Sequence, residues 1–288
     1  MKYLSLFSGI GGFELGIFNT YVKKMEGKTL HEIDKMDLAE CIGFSEINKY
    51  ATQIYQKHFP NHKNYGDITK INTKELPDFD LIVGGFPCQA FSVAGKRKGF
   101  DDTRGTLFFE IARIVREKKP RLILLENVKG LLSHDKGSTF YTIITALDEL
   151  GYDCQWQVLN SKNHGVPQNR ERVFIIGHLR GTSRPKVFPF TEAGGQDIKQ
   201  LNQPKHSNDR VYDPKGLSPT LNTMQGGNRQ PFITEETKIR RLTPLECERL
   251  QGFPDNWTEG LSDTQRYKTL GNAVTVNVIR DIVIKLLK

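Results

Sequence analysis

Two rhythms of apolar and polar positions alternate along the first 180 residues. Short apolar runs at Tyr3–Phe7, Ile42–Ser45, Leu81–Val83, Arg121–Leu125, Gln155–Leu159 and Val173–Ile176 have the length and make-up of strands. Between them lie stretches in which apolar residues recur every three or four positions. In Leu107–Glu117 these are Leu107, Phe108, Ile111, Ile114 and Val115, one face of a helix. The same spacing predicts helices over Phe13–Val22, Lys49–His58 and Thr139–Leu150. Pro120 stops one of these helical patterns and Gly151 another. Strand–helix alternation of this kind predicts a parallel or mixed sheet covered by helices.

The rhythm fades after Gly181. From there to about Arg240 the chain is rich in Pro, Gly, Asn and Gln, and Lys and Arg outnumber Asp and Glu by nine to six. Phe188, Phe190, Tyr212 and Phe232 set it apart from a disordered linker, so a separate, irregular lobe is expected. Periodicity returns at Thr243–Gln251, where Thr243, Pro244 and Glu246 form an N-cap, N1 and N3 signature. A last apolar-faced helix is predicted at Val274–Leu287. The polar stretch Tyr21–Glu40 reads as an extension of the first helix.

Composition narrows the classes. The chain has 288 residues, 37% hydrophobic and 26% charged, which suits a packed core in one or two domains. A net charge of +8 favours a polyanionic partner without naming one. No apolar run reaches eighteen residues, so no membrane span and no membrane partner are expected. The start of the chain carries Lys2, Glu14 and glycines and reads as a strand and turn, not an export signal. Cys41, Cys88, Cys154 and Cys247 stand far apart with no C-x-x-C pair. No metal site or disulfide framework is expected, and a cytoplasmic setting follows.

The candidate chemistry gathers at the predicted strand ends. Phe7-Ser8-Gly9-Ile10-Gly11-Gly12 joins the first strand to its helix, and glycines there let a ligand approach backbone N–H groups at a helix N-terminus. The dinucleotide pattern G-x-G-x-x-G fails, because its last position is Glu14. A carboxylate-bearing cofactor without a pyrophosphate, such as S-adenosylmethionine, suits this turn better. Glu46 follows the second strand, where an acid can hold ribose hydroxyls, though later than the usual ~20 residues. Asp67 sits just before the third strand, placed for an adenine amino group.

Pro87-Cys88-Gln89 follows the third strand directly, at the edge where α/β sites form. An unperturbed thiol near pKa 8.5 is only about a tenth ionised at pH 7.5, and nearby arginines would raise that fraction. Gln168, Arg170 and Arg172 alternate in Gln168-Asn169-Arg170-Glu171-Arg172 and would share one face of an extended segment. Glu126 follows the fourth strand, where a carboxylic acid can hydrogen-bond or protonate a ring nitrogen. Each signal alone also fits a structural turn, an inert thiol or a row of surface ion pairs.

Together with Arg104-Gly105-Thr106-Leu107, Glu126-Asn127-Val128, Leu250-Gln251-Gly252-Phe253-Pro254 and Gly271-Asn272-Ala273-Val274, these segments resemble the DNA cytosine-C5 methyltransferase family. The likeness runs from Leu4 to about Gly177 and again from about Arg241 to Val278, and is strongest to the small enzymes of bacterial restriction-modification systems. It implies an α/β fold: a Rossmann-like S-adenosylmethionine-dependent methyltransferase sheet with a second, small irregular target-recognition domain. The division expected is 1–180 plus 268–288 for the catalytic domain and 181–267 for the reader. It implies that Cys88 attacks C6 of a flipped-out cytosine, that Glu126 engages N3 and the exocyclic amine, and that Arg170 and Arg172 hold the base O2 and the thiolate. S-Adenosylmethionine would lie among Phe7, Gly9, Gly11, Gly12, Glu46, Asp67, Ile68, Pro87, Leu107, Asn272 and Val274.

Double-stranded DNA is the implied partner, met by Lys96, Arg97 and Lys98 and by Gln225 and Arg229 in the irregular lobe. So small a reader implies a target of roughly four base pairs. A monomer is expected, with a possible genetic link to a restriction endonuclease. The family usually has Asp where this chain has Ser5. Two alternatives stay open: a tRNA cytosine-C5 methyltransferase, which shares the Pro-Cys-Gln and Glu-Asn-Val segments, and a catalytically silent DNA-binding relative, against which the presence of Cys88, Glu126, Arg170 and Arg172 argues.

Overall fold

The computed structural model describes residues 1–27, 38–87, 107–191, 197–223, 230–235 and 238–287. Its main strands are β1 (Lys2–Leu6), β2 (Glu40–Ser45), β3 (Leu81–Gly85), β4 (Leu122–Val128), β5 (Tyr152–Asn160) and β7 (Glu171–Leu179). Short strands β6 (Gln168–Asn169), β8 (Val211–Tyr212), β9 (Ser218–Pro219), β10 (Phe232–Glu235) and β11 (Lys238–Arg241) complete the set. The helices are α1 (Gly12–Met25), α2 (Lys49–His58), α3 (Leu107–Lys118), α4 (Ser138–Glu149), α5 (Pro244–Gln251), α6 (Asp263–Asn272) and α7 (Val276–Leu286).

The principal sheet runs β2-β1-β3-β4-β7-β5. β1 to β4 pair in parallel, and β7 is antiparallel to both its neighbours, so the sheet is mixed. That one reversal matters. It brings the start of β7 to the edge where β1, β3 and β4 end, with Arg172 opposite Val128 and Gly85 opposite Glu126.

Alternate residues on each strand face opposite layers, as the pleat requires. Leu4, Ile82, Ile123 and Ile175 pack with Ile111, Ile114, Ile143 and Leu147 of α3 and α4. Their neighbours Tyr3, Val83, Leu124 and Phe174 pack with Phe13 and Ile17 of α1 and Ile279 and Ile282 of α7. A Cβ on Gly16 would stand 2.6 Å from the Ile279 Cβ, so α1 and α7 can close only on a glycine. A third cluster joins Ile10, Leu15 and Ile54 to Leu221, Ile233, Leu242, Leu250, Trp257 and Leu270. The C-terminal segments are therefore tied to the glycine turn through a shared core.

The predicted capping box is present: Thr243 accepts from the Glu246 N–H and Glu246 from the Thr243 N–H, with Pro244 at N1. Three expectations are corrected. α1 stops at Met25 and residues 38–39 are not helical, so Tyr21–Glu40 is not one extended helix; residues 28–37 lie outside the described residues. β4 continues through Val128, so Glu126 and Asn127 stand on the strand and not after it. The lobe after Gly181 also contains a small sheet, β11-β10-β8, and its β9 pairs with β6, which precedes the lobe. Strands of two to four residues are too short to show a period of two.

Glu14 is the one fully buried acid on α1: it is 1% exposed and neither carboxylate oxygen has a hydrogen-bond partner. Burial pushes its pKa up to about 7, against a smaller opposing pull from Ser5. The folded state then holds this proton more tightly than the unfolded chain, whose Glu titrates near 4.5. Glu14 therefore costs nothing below about pH 4.5 and progressively more as pH rises to about 7. At one pKa unit per 1.36 kcal/mol, Glu14→Gln is expected to stabilise the protein at pH 8 by on the order of 3 kcal/mol and to do little at pH 5. Urea unfolding at the two pH values measures this; equal effects at both would show that Glu14 is not a buried proton carrier.

Candidate active site

A cavity of about 530 Å³ opens at the edge where β1, β3 and β4 end. Small-molecule sites commonly fall between ~300 and 1,000 Å³. Its walls come from seven stretches of chain: Phe7 and Gly9; Glu46 and Asn48; Gly85–Pro87; Glu126–Val128; Arg170 and Arg172; Thr220–Thr223; and Thr269, Gly271 and Asn272.

The glycine turn forms one wall. Phe7 (φ 53) and Gly9 (φ 56) are both left-handed, and a Cβ on Gly9 would meet nothing within 4 Å. The turn thus leaves open space above Gly9. The Gly9 N–H donates to Glu46 Oε2 at 2.9 Å, and Glu46 Oε1 accepts from the Asn48 N–H at 2.7 Å. Each carboxylate oxygen keeps a further lone pair for a ligand hydroxyl.

The other expected cofactor residues divide. Pro87 and Asn272 line the cavity with Phe7, Gly9 and Glu46. Gly11 and Gly12 do not; they allow close packing, since a Cβ would fall 2.6 Å from the Phe59 ring at Gly11 and 2.8 Å from Val274 Cγ1 at Gly12. Val274 is therefore buried behind the turn. Asp67 caps a short 3₁₀ turn, accepting from the Thr69 N–H at 3.0 Å and hydroxyl at 2.8 Å, which hold its carboxyl below the usual range. Ile68 is buried in a core cluster against which Phe7 and Leu107 pack. Cys88, Lys96, Arg97, Lys98, Gln225 and Arg229 lie outside the described residues.

Glu126 and Arg172 meet at 3.1 Å, with side chains 13% and 16% exposed. Burial raises the Glu126 pKa more than the adjacent positive charges of Arg172 and Arg170 lower it. The carboxyl thus holds a proton more readily than an ordinary glutamate while keeping a guanidinium beside it. Between the two arginines, Glu171 turns away and binds Lys129 at 2.9 Å.

Arg170 does something else. It is 3% exposed. Its Nη1 donates to the Leu221 carbonyl at 3.0 Å and its Nη2 to those of Gly271 and Ala273 at 3.1 and 2.9 Å, while Nε has no partner. Burial, and then the like charge of Arg172, push its pKa down to about 9. The expectation that it shares the substrate with Arg172 gives way here to a structural task, because its Nη groups are spent on backbone.

Gln168 continues the network. Its Oε1 accepts from the Leu221 N–H at 3.0 Å, and its Nε2 donates to the Leu250 carbonyl at 2.8 Å. Gln251 donates to the Leu270 carbonyl at 2.8 Å and accepts from Thr275 Oγ1 at 2.8 Å. Asn127 fixes the end of β3 by donating to the Phe86 carbonyl at 2.8 Å.

Sequence reasoning missed Thr220, Leu221 and Asn222 as cavity lining. The Leu221 main chain is held by Gln168 and Arg170, an attachment that no side-chain pattern announces. Sequence reasoning also missed why Gly271 is glycine: a Cβ there would stand 2.0 Å from the Asn222 carbonyl oxygen.

Comparison with known proteins agrees with this geometry. The model of the C-5 cytosine-specific DNA methylase family matches residues 1–213 and 191–288. The Type II methyltransferase M1.ScrFI of Lactococcus lactis subsp. cremoris is 40% identical over 320 residues, covering 100% of this chain and 78% of the relative. M.HhaI of Haemophilus parahaemolyticus, also named a Type II methyltransferase, is 36% identical, covering 98% and 93%. The solved structure of a Spodoptera frugiperda DNMT2 mutant superposes with a TM-score of 0.74 at 19% identity, covering 100% of this chain and 99% of that one, a likeness of fold.

Arg170→Lys tests the carbonyl clamp. An ammonium keeps the charge but cannot span three divergent carbonyls, and each buried carbonyl left unmet costs about 1–3 kcal/mol. The variant is expected to lose about 3 kcal/mol in urea unfolding. A loss below about 0.5 kcal/mol, the scale of ordinary surface changes, would contradict this role.

Proposed function

The chain belongs to the C-5 cytosine-specific DNA methylase family, and from that premise we propose that it methylates C5 of a cytosine flipped out of a short specific duplex sequence, with S-adenosylmethionine as donor. The observation that carries this reading is one cavity bordered both by the glycine turn with Glu46 and by the Glu126–Arg172 pair. The open backbone above Gly9 and the unshared lone pairs of Glu46 suit the amino-acid and ribose parts of that cofactor. When bound, it supplies an electrophilic methyl group.

The remaining chemistry falls to the chain. Cys88, next in sequence to the cavity-lining Pro87, attacks C6 and forms a C–S bond, which makes C5 nucleophilic. Glu126 hydrogen-bonds or protonates N3, a task that its raised pKa suits. Arg172 orients Glu126 and presents positive charge to the base O2 and the thiolate. After methyl transfer, C5 loses its proton and the C–S electron pair returns to sulfur, which frees Cys88.

Flipping the base costs a few kcal/mol, which protein–DNA contacts must offset. We assign that work to Lys96, Arg97 and Lys98 and to a target-recognition region at 181–267, with Gln225 and Arg229 among its readers. The names of the relatives support a place in a restriction-modification system; a monomer in the cytoplasm, beside a restriction endonuclease, completes the proposal. Among the described residues no helix is long and apolar enough to cross a membrane. A tRNA substrate is not favoured: relatives covering nearly the whole chain are named Type II methyltransferases, while the DNMT2 likeness is one of fold.

Cys88→Ser is expected to abolish methyl transfer while retaining DNA binding. Wild-type protein should form a covalent adduct with cognate duplex carrying 5-fluorocytosine, because the C5 fluorine cannot leave as a proton. Labelling of tRNA but not of duplex DNA by tritiated S-adenosylmethionine would overturn the substrate assignment. Absence of the adduct on a duplex that is methylated normally would remove Cys88 as nucleophile.

A further inference from the structure

The glycine turn is gripped from behind by a residue far away in sequence. Ile10 is fully buried, so its carbonyl needs a protein donor. The Trp257 indole N–H supplies one at 2.9 Å. On the cavity side, the neighbouring Gly9 N–H is held by Glu46. The Gly9–Ile10 segment is thus fixed at both ends of its polar backbone, one end by each side of the fold.

Trp257 is itself held. His58 stacks on its indole at 3.6 Å and 8°, and His58 Nε2–H donates to the Trp257 carbonyl at 2.8 Å. The surrounding loop converges on Glu248, which is fully buried and accepts from the N–H groups of Asn256 and Thr258, both at 2.8 Å, and from Arg266 at 3.1 Å. A rigid line therefore runs from α5 through Trp257 to the wall of the cavity.

We infer that Trp257 is a positioning residue for cofactor binding: its N–H keeps the glycine turn in the left-handed form that leaves the space above Gly9 open. This rests on the reading that the turn takes S-adenosylmethionine. A turn already held in its binding form has less ordering to undergo when the ligand arrives, so losing the donor weakens affinity and not the chemical step.

The test is cofactor affinity by equilibrium dialysis with S-adenosylmethionine, together with steady-state kinetics on the cognate duplex. Trp257→Phe keeps an aromatic ring in the stack and removes only the donor. It is expected to raise the dissociation constant and KM for S-adenosylmethionine about tenfold, with kcat at saturating cofactor within about twofold of wild type and KM for DNA unchanged. His58→Leu, on the partly exposed end of α2, loosens the indole without touching the cavity and is expected to raise the same constant about threefold. If Trp257→Phe does not fold, His58→Leu decides the matter: an unchanged constant there overturns the inference. Trp257→Phe with wild-type affinity, or with kcat reduced at unchanged affinity, also overturns it. Failure of the wild-type protein to bind S-adenosylmethionine would instead remove the cofactor assignment on which the inference stands.

Discussion

A buried guanidinium has to find acceptors, and Arg170 finds them only on backbone. Its partners are the carbonyls of Leu221, in the irregular lobe, and of Gly271 and Ala273, in the last turn and at the C-cap of α6. Two pieces of chain remote in sequence are thereby fixed to the start of β7. Among the described residues no carboxylate pairs with Arg170, and its charge acts across the site on Glu126. The wall formed by Thr220–Thr223 exists because this clamp holds Leu221 while Gly271, lacking a Cβ, lets Asn222 come close.

The electrostatics of the cavity follow from that arrangement. One carboxyl stands among two guanidiniums, so these three side chains carry a net positive charge when Glu126 is ionised and a larger one when it is protonated, with the Glu46 carboxyl elsewhere on the same cavity. Burial prevails over attraction at Glu126, so its pKa rises despite both arginines. A group of this kind donates a proton to a ring nitrogen more readily than an exposed glutamate, while the excess positive charge favours a nearby anion. Acid and anion stabilisation thus come from the same three side chains.

Much of this was legible in the sequence because it lies on long periodic elements. The six strands of the main sheet and helices such as Lys49–His58 were visible in apolar spacing, and Thr243-Pro244-Leu245-Glu246 announced its cap. Gly9, Glu46, Glu126 and Arg172 were identifiable because their roles belong to strand ends. The less legible parts depend on contacts between distant segments. Arg170 and Arg172 share a motif and a chemistry, and only packing separates the clamp from the residue at Glu126. Gly11 and Gly12 looked like ligand-facing glycines until Phe59 and Val274 proved to fill the space beside them. α6 carries few apolar residues, Tyr267 and Leu270 chief among those buried, so it showed no helical rhythm. Leu221 and Asn222 are attached through their main chain and left no trace in side-chain pattern.

The lobe is attached to the sheet side of the cavity largely through main chain. The contacts that tie Leu221 and Asn222 to the catalytic side use main-chain atoms: the Leu221 N–H and carbonyl, and the close approach of the Asn222 carbonyl to Gly271. Main-chain contacts place weak demands on residue identity, apart from the buried Leu221 side chain and the Thr220 hydroxyl that donates to the Asn169 carbonyl. The anchors on the catalytic side, by contrast, are specific side chains: Gln168, Arg170 and the missing Cβ of Gly271. The fold therefore concentrates its sequence requirements on one side of the junction. On the proposed reading of the lobe as target reader, a junction of this kind lets the lobe's side chains differ while Gln168, Arg170 and Gly271 keep the Glu126–Arg172 pair in place.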